Sequence, residues 1–260
     1  MKRTSLALVI LLLATQSSAP SAARIDEASY AQTLQKYVSN DGRVDYAALK
    51  KNHAGLDSFI QEISATSPAN APRMFSTRAE QLAYWINAYN AWVLKIVVDH
   101  YPIESITKIG LIPFSAFYVD RITLGDKSMT LNTLETGVLR SGFHEPRIHF
   151  AINCASRSCP PLARQAYRAE TLDQQLNAAA RNFVNDNRNV TLDEAHHRIV
   201  LSMILKWYAK DFESAVPSSK KATVLDYLKT YLTPQRQTVL SHLQGAAVAY
   251  HPYDWSLNGK

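Results

Sequence analysis

Cys154 and Cys159 are the only cysteines of this 260-residue chain, and both stand in RIHFAINCASRSCPPL, Arg147 to Leu162, with His149 just upstream. Three chemistries suit such a set. The two sulfurs can close a disulfide, one of them can act as a thiolate beside an imidazole on an acyl carbon or a disulfide, or sulfur and imidazole together can hold zinc. In an exported chain an even cysteine count favours the bridge, because oxidising compartments sustain disulfides. Closing so short a loop stabilises by only about 2 kcal/mol in the chain-entropy view, so it pins local geometry more than it holds the fold.

The thiolate alternative makes Cys154 or Cys159 a nucleophile or redox centre with His149 as its base, in a cysteine-dependent hydrolase or a thiol-redox enzyme. Its spacing is weak. In a strand His149 lies an odd number of residues from Cys154, on the opposite face, and the redox spacing of two intervening residues is absent. Zinc would need His144 or His251 brought in from elsewhere, no H-E-x-x-H occurs, and His196-His197 fall in a turn-like stretch. No metal and no cofactor is expected.

Four other residues are candidates to bind or orient. Asn87 and Asn90, three apart in the middle of an apolar helix pattern, need partners for their amides. They either lock a neighbouring loop or orient a reacting group, with Glu80 a turn or two away on a similar face. Asp254 belongs to a C-terminal YDWSLN that is specific for a tail. It either packs on the body or orients a histidine.

The head of the chain gives the compartment. Lys2 and Arg3, an apolar run Leu6 to Ala14 and the small residues Ser17 to Ala23 follow the order of a secretory signal peptide, with cleavage near Ala23. Its apolar run of roughly ten residues is short of the ~20 that span a bilayer. The expectation is a periplasmic or secreted protein with residues 1–23 as signal and 24–260 as one domain, and with no transmembrane segment in the mature chain. Removing Lys2 and Arg3 lowers the net charge from +6 to +4. The remaining basic residues are interspersed with acids, which argues against a nucleic-acid partner.

These residues need elements to hold them. The strongest is a helix from Ser76 to Asp99, capped by Ser76 or Thr77 with Glu80, apolar nearly all round and therefore central and buried. Helices are also expected over 25–38, 46–63, 132–140, 172–184, 203–212, 224–232 and 234–243. Phe117–Val119 and Arg121–Leu124 face Lys127–Leu131 across a Gly125-Asp126 hairpin turn, and a second hairpin surrounds Asp193–His197. Ile148, Phe150 and Ile152 alternate with His149, Ala151 and Asn153 as in a strand, and Ala246–Tyr250 is a last strand. Helices outnumber strands and the strands come as hairpins, so the fold class is α+β, with antiparallel strands around the His149 strand.

Taken together, DGRVDYAAL from Asp41, EQLAYWINAYNAWV from Glu80, RIHFAINCASRSCPPL, LSMILKWYAKDF from Leu201 and YDWSLN from Tyr253 resemble the family catalogued as domain of unknown function 547. The resemblance spans nearly all of the mature chain. It implies that Glu80, Asn87, Tyr89, Asn90, His149, Cys154, Cys159, Pro160, Trp207, Tyr208, Asp211, Asp254 and Trp255 occupy signature positions, and it implies no activity. Plant members carry the domain behind a coiled coil, whose heptads this chain lacks. The sequence reading is an exported, non-catalytic envelope domain with a disulfide-closed loop at Cys154 and Cys159 that binds a peptide or glycan, against the cysteine-dependent alternative.

Overall fold

Thr77 and Glu80 start the longest helix. The Thr77 hydroxyl accepts the Glu80 N–H at 3.1 Å and the Glu80 carboxylate accepts the Thr77 N–H at 2.8 Å, a capping box that satisfies donors a helix start leaves open. From there α4 (Arg78–His100) runs through the middle of the first of two apolar clusters, buried on nearly every side. In this computed structural model, which describes residues 25–217 and 222–260, α2 (Tyr46–Lys51) and α3 (Ala54–Ala65) pack against it, and α1 (Ala28–Tyr37) packs on α2 and α3. The expected signal peptide lies outside the described residues. One helix was expected over 46–63; the backbone leaves helical geometry at Asn52 and splits it into α2 and α3. Among the described residues no helix is long and apolar enough to cross a membrane.

Beyond α4 the chain folds into short pieces. Ser115–Tyr118 is a helical turn, α5, rather than the strand its aromatic residues suggest, because it buries Ala116 and Phe117 together. β1 (Ile122–Leu124) and β2 (Lys127–Met129) pair antiparallel around Gly125 and Asp126, both at positive φ (55° and 63°), as a primed two-residue turn requires. A helical segment then runs from Leu131 to Phe143: α6 (Leu131–Thr133), a π-helical stretch over Leu134–Arg140, and α7 (Ser141–Phe143).

The His149 segment is a 3₁₀ helix, Pro146–Phe150, and not a strand. Pro146 presets the first turn and the Glu145 carboxylate accepts the Arg147 N–H. The alternation that suggested a strand has another cause. Ile148 and Ile152 belong to the first apolar cluster and Phe150 to the second, so the period of two records a turn lying in a seam between two cores.

The second cluster is built by α8 (Leu172–Asn185), the hairpin of β3 (Val190–Asp193) and β4 (Arg198–Leu201), then α9 (Met203–Trp207), α10 (Ala209–Ser214), α11 (Val224–Lys229) and α12 (Pro234–His242). The last strand, β5 (Ala247–Tyr250), lies parallel to β4, so that sheet is mixed where antiparallel pairing was expected. The helices α9 to α12 form the crossover that makes parallel pairing geometrically open. Short sheets among many helices make the protein α+β.

Candidate functional site

Cys154 and Cys159 are joined in a disulfide with Cα atoms 6.2 Å apart, and no cysteine is free. Asparagine amides fix the loop they close. Asn90 on α4 donates to the Ala151 carbonyl at 3.0 Å and accepts the Asn153 N–H at 2.8 Å. Asn153 in turn donates to the Pro160 carbonyl and accepts the Ala155 N–H, which closes the loop across its neck. The tail seals the outside: Asn258 N–H donates to the Ala155 carbonyl, Arg157 N–H to the Ser256 carbonyl, and the Tyr46 hydroxyl to the Asn258 amide oxygen. Tyr253 thereby reaches the bridge, its hydroxyl 3.3 Å from each sulfur.

Two charged groups lie beneath. His149 is 2% exposed, stacks on the Tyr208 ring at 3.8 Å, and holds Nε2 2.8 Å from Asp211 Oδ2. Arg140 grips the same carboxylate with two bonds, at 2.7 and 3.0 Å. The hydrogen bond from His149, followed by that from Arg140, holds the Asp211 carboxyl well below the usual range, against the opposite pull of burial. Nδ1 of His149 is buried without a partner. The second group is Glu135, whose carboxylate accepts from Tyr208 at 2.6 Å and Tyr89 at 3.2 Å. Burial, with Glu135 next, pushes both phenols up, so both stay protonated donors.

The π-helical stretch explains how Glu135 and Arg140 come to the same place. Residues five apart on an α-helix point about 140° from each other at 100° per residue. Hydrogen bonding from i to i+5 brings them closer to register, and such turns recur at functional sites. The helix expected over 132–140, taken as α-helical, would set these two residues on different faces, and neither was singled out from the sequence.

Both cysteines, Tyr89, Glu135, Arg140, His149, Tyr208 and Tyr253 line one cleft of about 460 Å³, with Asp211 behind His149 and outside the lining. The disulfide, Pro160 and Ile152 form one side; Glu135, Arg140 and His149 lie along the floor. An aromatic wall adjoins the disulfide through Tyr253. Trp207, Tyr253 and Trp255 lie with ring centroids 4.5–5.9 Å apart, and Phe114 meets Trp255 edge-on at 5.0 Å. A larger hollow of about 590 Å³ lies between α1, the start of α4 and the Gln165–Gln175 segment, bordered by Glu80. We place the candidate site at the smaller one because it gathers the disulfide, the histidine and the charged groups.

The residues singled out from sequence divide cleanly. Cys154, Cys159 and His149 share the cleft. Asn90 clamps the disulfide loop, whereas Asn87 exchanges two hydrogen bonds with the backbone of Tyr167. Glu80 serves the capping box. Asp254 accepts from Ser256 and meets no histidine; the carboxylate that orients His149 is Asp211. His251 pairs with Thr191 and His196 with Asp193, away from the sulfurs, and no metal-holding group of His, Cys, Asp and Glu occurs among the described residues.

No curated protein and no solved structure matches the chain. A family model does match, that of "Protein of unknown function, DUF547", over residues 72–184. That span is narrower than the five sequence motifs, and the aromatic wall of Trp207, Tyr253 and Trp255 lies beyond it. Residues 72–184, which hold α4, the π-helical stretch and the disulfide loop, are therefore the part of this chain that is similar to the DUF547 family.

Proposed function

We propose that this is an exported binding protein whose cleft takes an apolar segment of a peptide. The observation that carries this is the aromatic wall continued by an aliphatic rim. Leu111, Ile112, Tyr118 and Val119 stand more than half exposed on the segment that also sends Phe114, Phe117 and Tyr118 into the cleft, and Trp207 is 45% exposed. Large apolar side chains gathered on a surface mark binding sites, and aromatic residues with arginine are enriched at recognition surfaces.

A glycan needs open polar groups on the floor to meet its hydroxyls. Here Glu135 is engaged by two phenols and Arg140 by Asp211, so the floor charges serve each other. While the bridge is closed both sulfurs are spent in it, and the closed form holds no thiolate for acyl attack. The order of charged, apolar and small residues from Lys2 to Ala23 and the presence of a disulfide support export to an oxidising compartment.

Tryptophan fluorescence and calorimetry on the mature chain test the reading, with peptides rich in aromatic and aliphatic residues set against neutral and acidic oligosaccharides. Saturable peptide binding is expected, weakened at least tenfold by Trp207→Ala, with a stability change within about 0.5 kcal/mol as for an exposed site. Binding of oligosaccharides alone would transfer the cleft to glycans, and binding of neither would sink the proposal.

A further inference from the structure

The surroundings of the two sulfurs are unequal. Cys159 Sγ is met by the backbone N–H of Cys154 at 2.9 Å, by the Tyr253 hydroxyl at 3.3 Å and by the Ser156 hydroxyl at 3.4 Å. Cys154 Sγ has only the two hydroxyls, at 3.1 and 3.3 Å. Ser156 also donates to the Tyr253 oxygen at 2.9 Å, which leaves the Tyr253 proton for sulfur. Burial pushes the Tyr253 phenol up and keeps that proton in place.

A sulfur within a disulfide is a weak acceptor and gains little from such donors. With the Ser156 proton on the Tyr253 oxygen, a Cys159 thiolate gains charge-assisted hydrogen bonds from two donors, the Cys154 N–H and the Tyr253 hydroxyl, of which the backbone N–H is given to Cys159 and not to Cys154. Donors aimed at a sulfur therefore favour its reduced, ionised state, and a bridge whose reduced form is stabilised is an oxidant. Both sulfurs also border the cleft, where a ligand sits against them.

We propose that Cys154–Cys159 is a thiol-exchange site for a peptide carrying a pair of cysteines, with Cys154 the sulfur attacked and Cys159 the sulfur that leaves. The proposal rests on the peptide-binding reading for its substrate, and on the sulfur contacts alone for its chemistry. A peptide thiolate forms a bond to Cys154 Sγ as the Cys154–Cys159 bond breaks, and the electron pair departs on Cys159, where the Cys154 N–H and the Tyr253 hydroxyl receive it. The second peptide thiolate then attacks the peptide sulfur of the mixed disulfide and releases Cys154. The peptide dithiol is oxidised to a disulfide by two electrons, the bridge is reduced to two thiols, and the two thiol protons of the peptide are returned to the protein sulfurs through solvent.

The mature full-length chain, equilibrated in a series of reduced and oxidised glutathione and quenched with a maleimide, gives the decisive count of free thiols. Both cysteines are expected to open within the millimolar glutathione range, where strongly reducing structural bridges stay shut. Tyr253→Phe is expected to lower the reduction equilibrium constant about tenfold, the worth of one charge-assisted hydrogen bond. With single cysteines, Cys154→Ala should alkylate faster at pH 6 than Cys159→Ala, because only the former retains the sulfur that the residue-154 backbone N–H meets. A bridge that stays closed across the series overturns the proposal whatever the variants do. A paired-cysteine peptide and its serine-substituted copy separate the two readings. If both bind and the bridge stays shut, exchange fails and the binding cleft stands; if neither binds while glutathione opens the bridge, the peptide substrate fails.

Discussion

His149 Nε2 sits 2.8 Å from the Asp211 carboxylate, joining the seam between the two apolar cores to α10 across 62 residues of chain. Because Arg140 shares that carboxylate, one acidic group holds three elements together. Its folded-state pKa lies below the unfolded value near 3.9, so the stabilisation is complete above about pH 5 and is lost as pH falls toward the folded pKa. Asp211→Asn should cost about 1–2 kcal/mol at pH 7, less than a fully buried pair because the Asp211 side chain is 27% exposed. Urea unfolding of both proteins at pH 7, 4 and 3 should show the gap narrowing toward acid. A gap that widens would contradict the assignment.

Asn87 and Asn90 make the same kind of bond with different consequences. Each alanine substitution strands a buried backbone N–H and carbonyl, so each should destabilise by about 2–4 kcal/mol in denaturant melts. Asn90→Ala should also weaken ligand binding in the cleft, since it frees the disulfide loop, while Asn87→Ala should leave affinity within about twofold, a change worth less than half a kcal/mol. Equal loss of affinity in both would mean that the effect is global.

Glu135 gives a test of the cleft floor. Glu135→Ala leaves the Tyr89 and Tyr208 hydroxyls without their acceptor and should cost about 2 kcal/mol, while Glu135→Gln keeps an oxygen for one of them and should cost about half that. Calorimetry should find peptide affinity for Glu135→Gln within about threefold of the parent, under 1 kcal/mol. A far larger loss would assign the carboxylate to the ligand.

The proposed export makes a prediction at the other end of the chain. The protein recovered from the envelope or medium of an expressing bacterium should begin close to Arg24 when its N-terminus is sequenced. Recovery of the full-length chain in the cytosolic fraction would remove the oxidising compartment on which the bridge was argued.

The parts legible in the sequence were those governed by local rules. The capping box of Thr77 and Glu80, the buried α4 and the Gly125-Asp126 turn each state their structure within a few residues. The even count of cysteines pointed to the pairing of Cys154 with Cys159. What failed depended on distant partners. The period of two around His149 was a strand signal only on the assumption of one core, and the chain supplied two. Glu135 and Arg140 were invisible because α-helical periodicity separates residues that a π-helical stretch draws together. Asp211 was matched only as a family position, and its role appears when His149 and Arg140 meet it in space.

The segment that walls the cleft is made well after the cysteines it covers. Tyr253 covers sulfurs 94 and 99 residues earlier, and Asn258 bonds Tyr46 across 212 residues. A chain that emerges from its N-terminus therefore presents Cys154 and Cys159 uncovered until Tyr253 appears. Contacts of such sequence separation form late, after local helices and turns. Oxidation of the pair thus has a window before Tyr253 docks on the sulfurs.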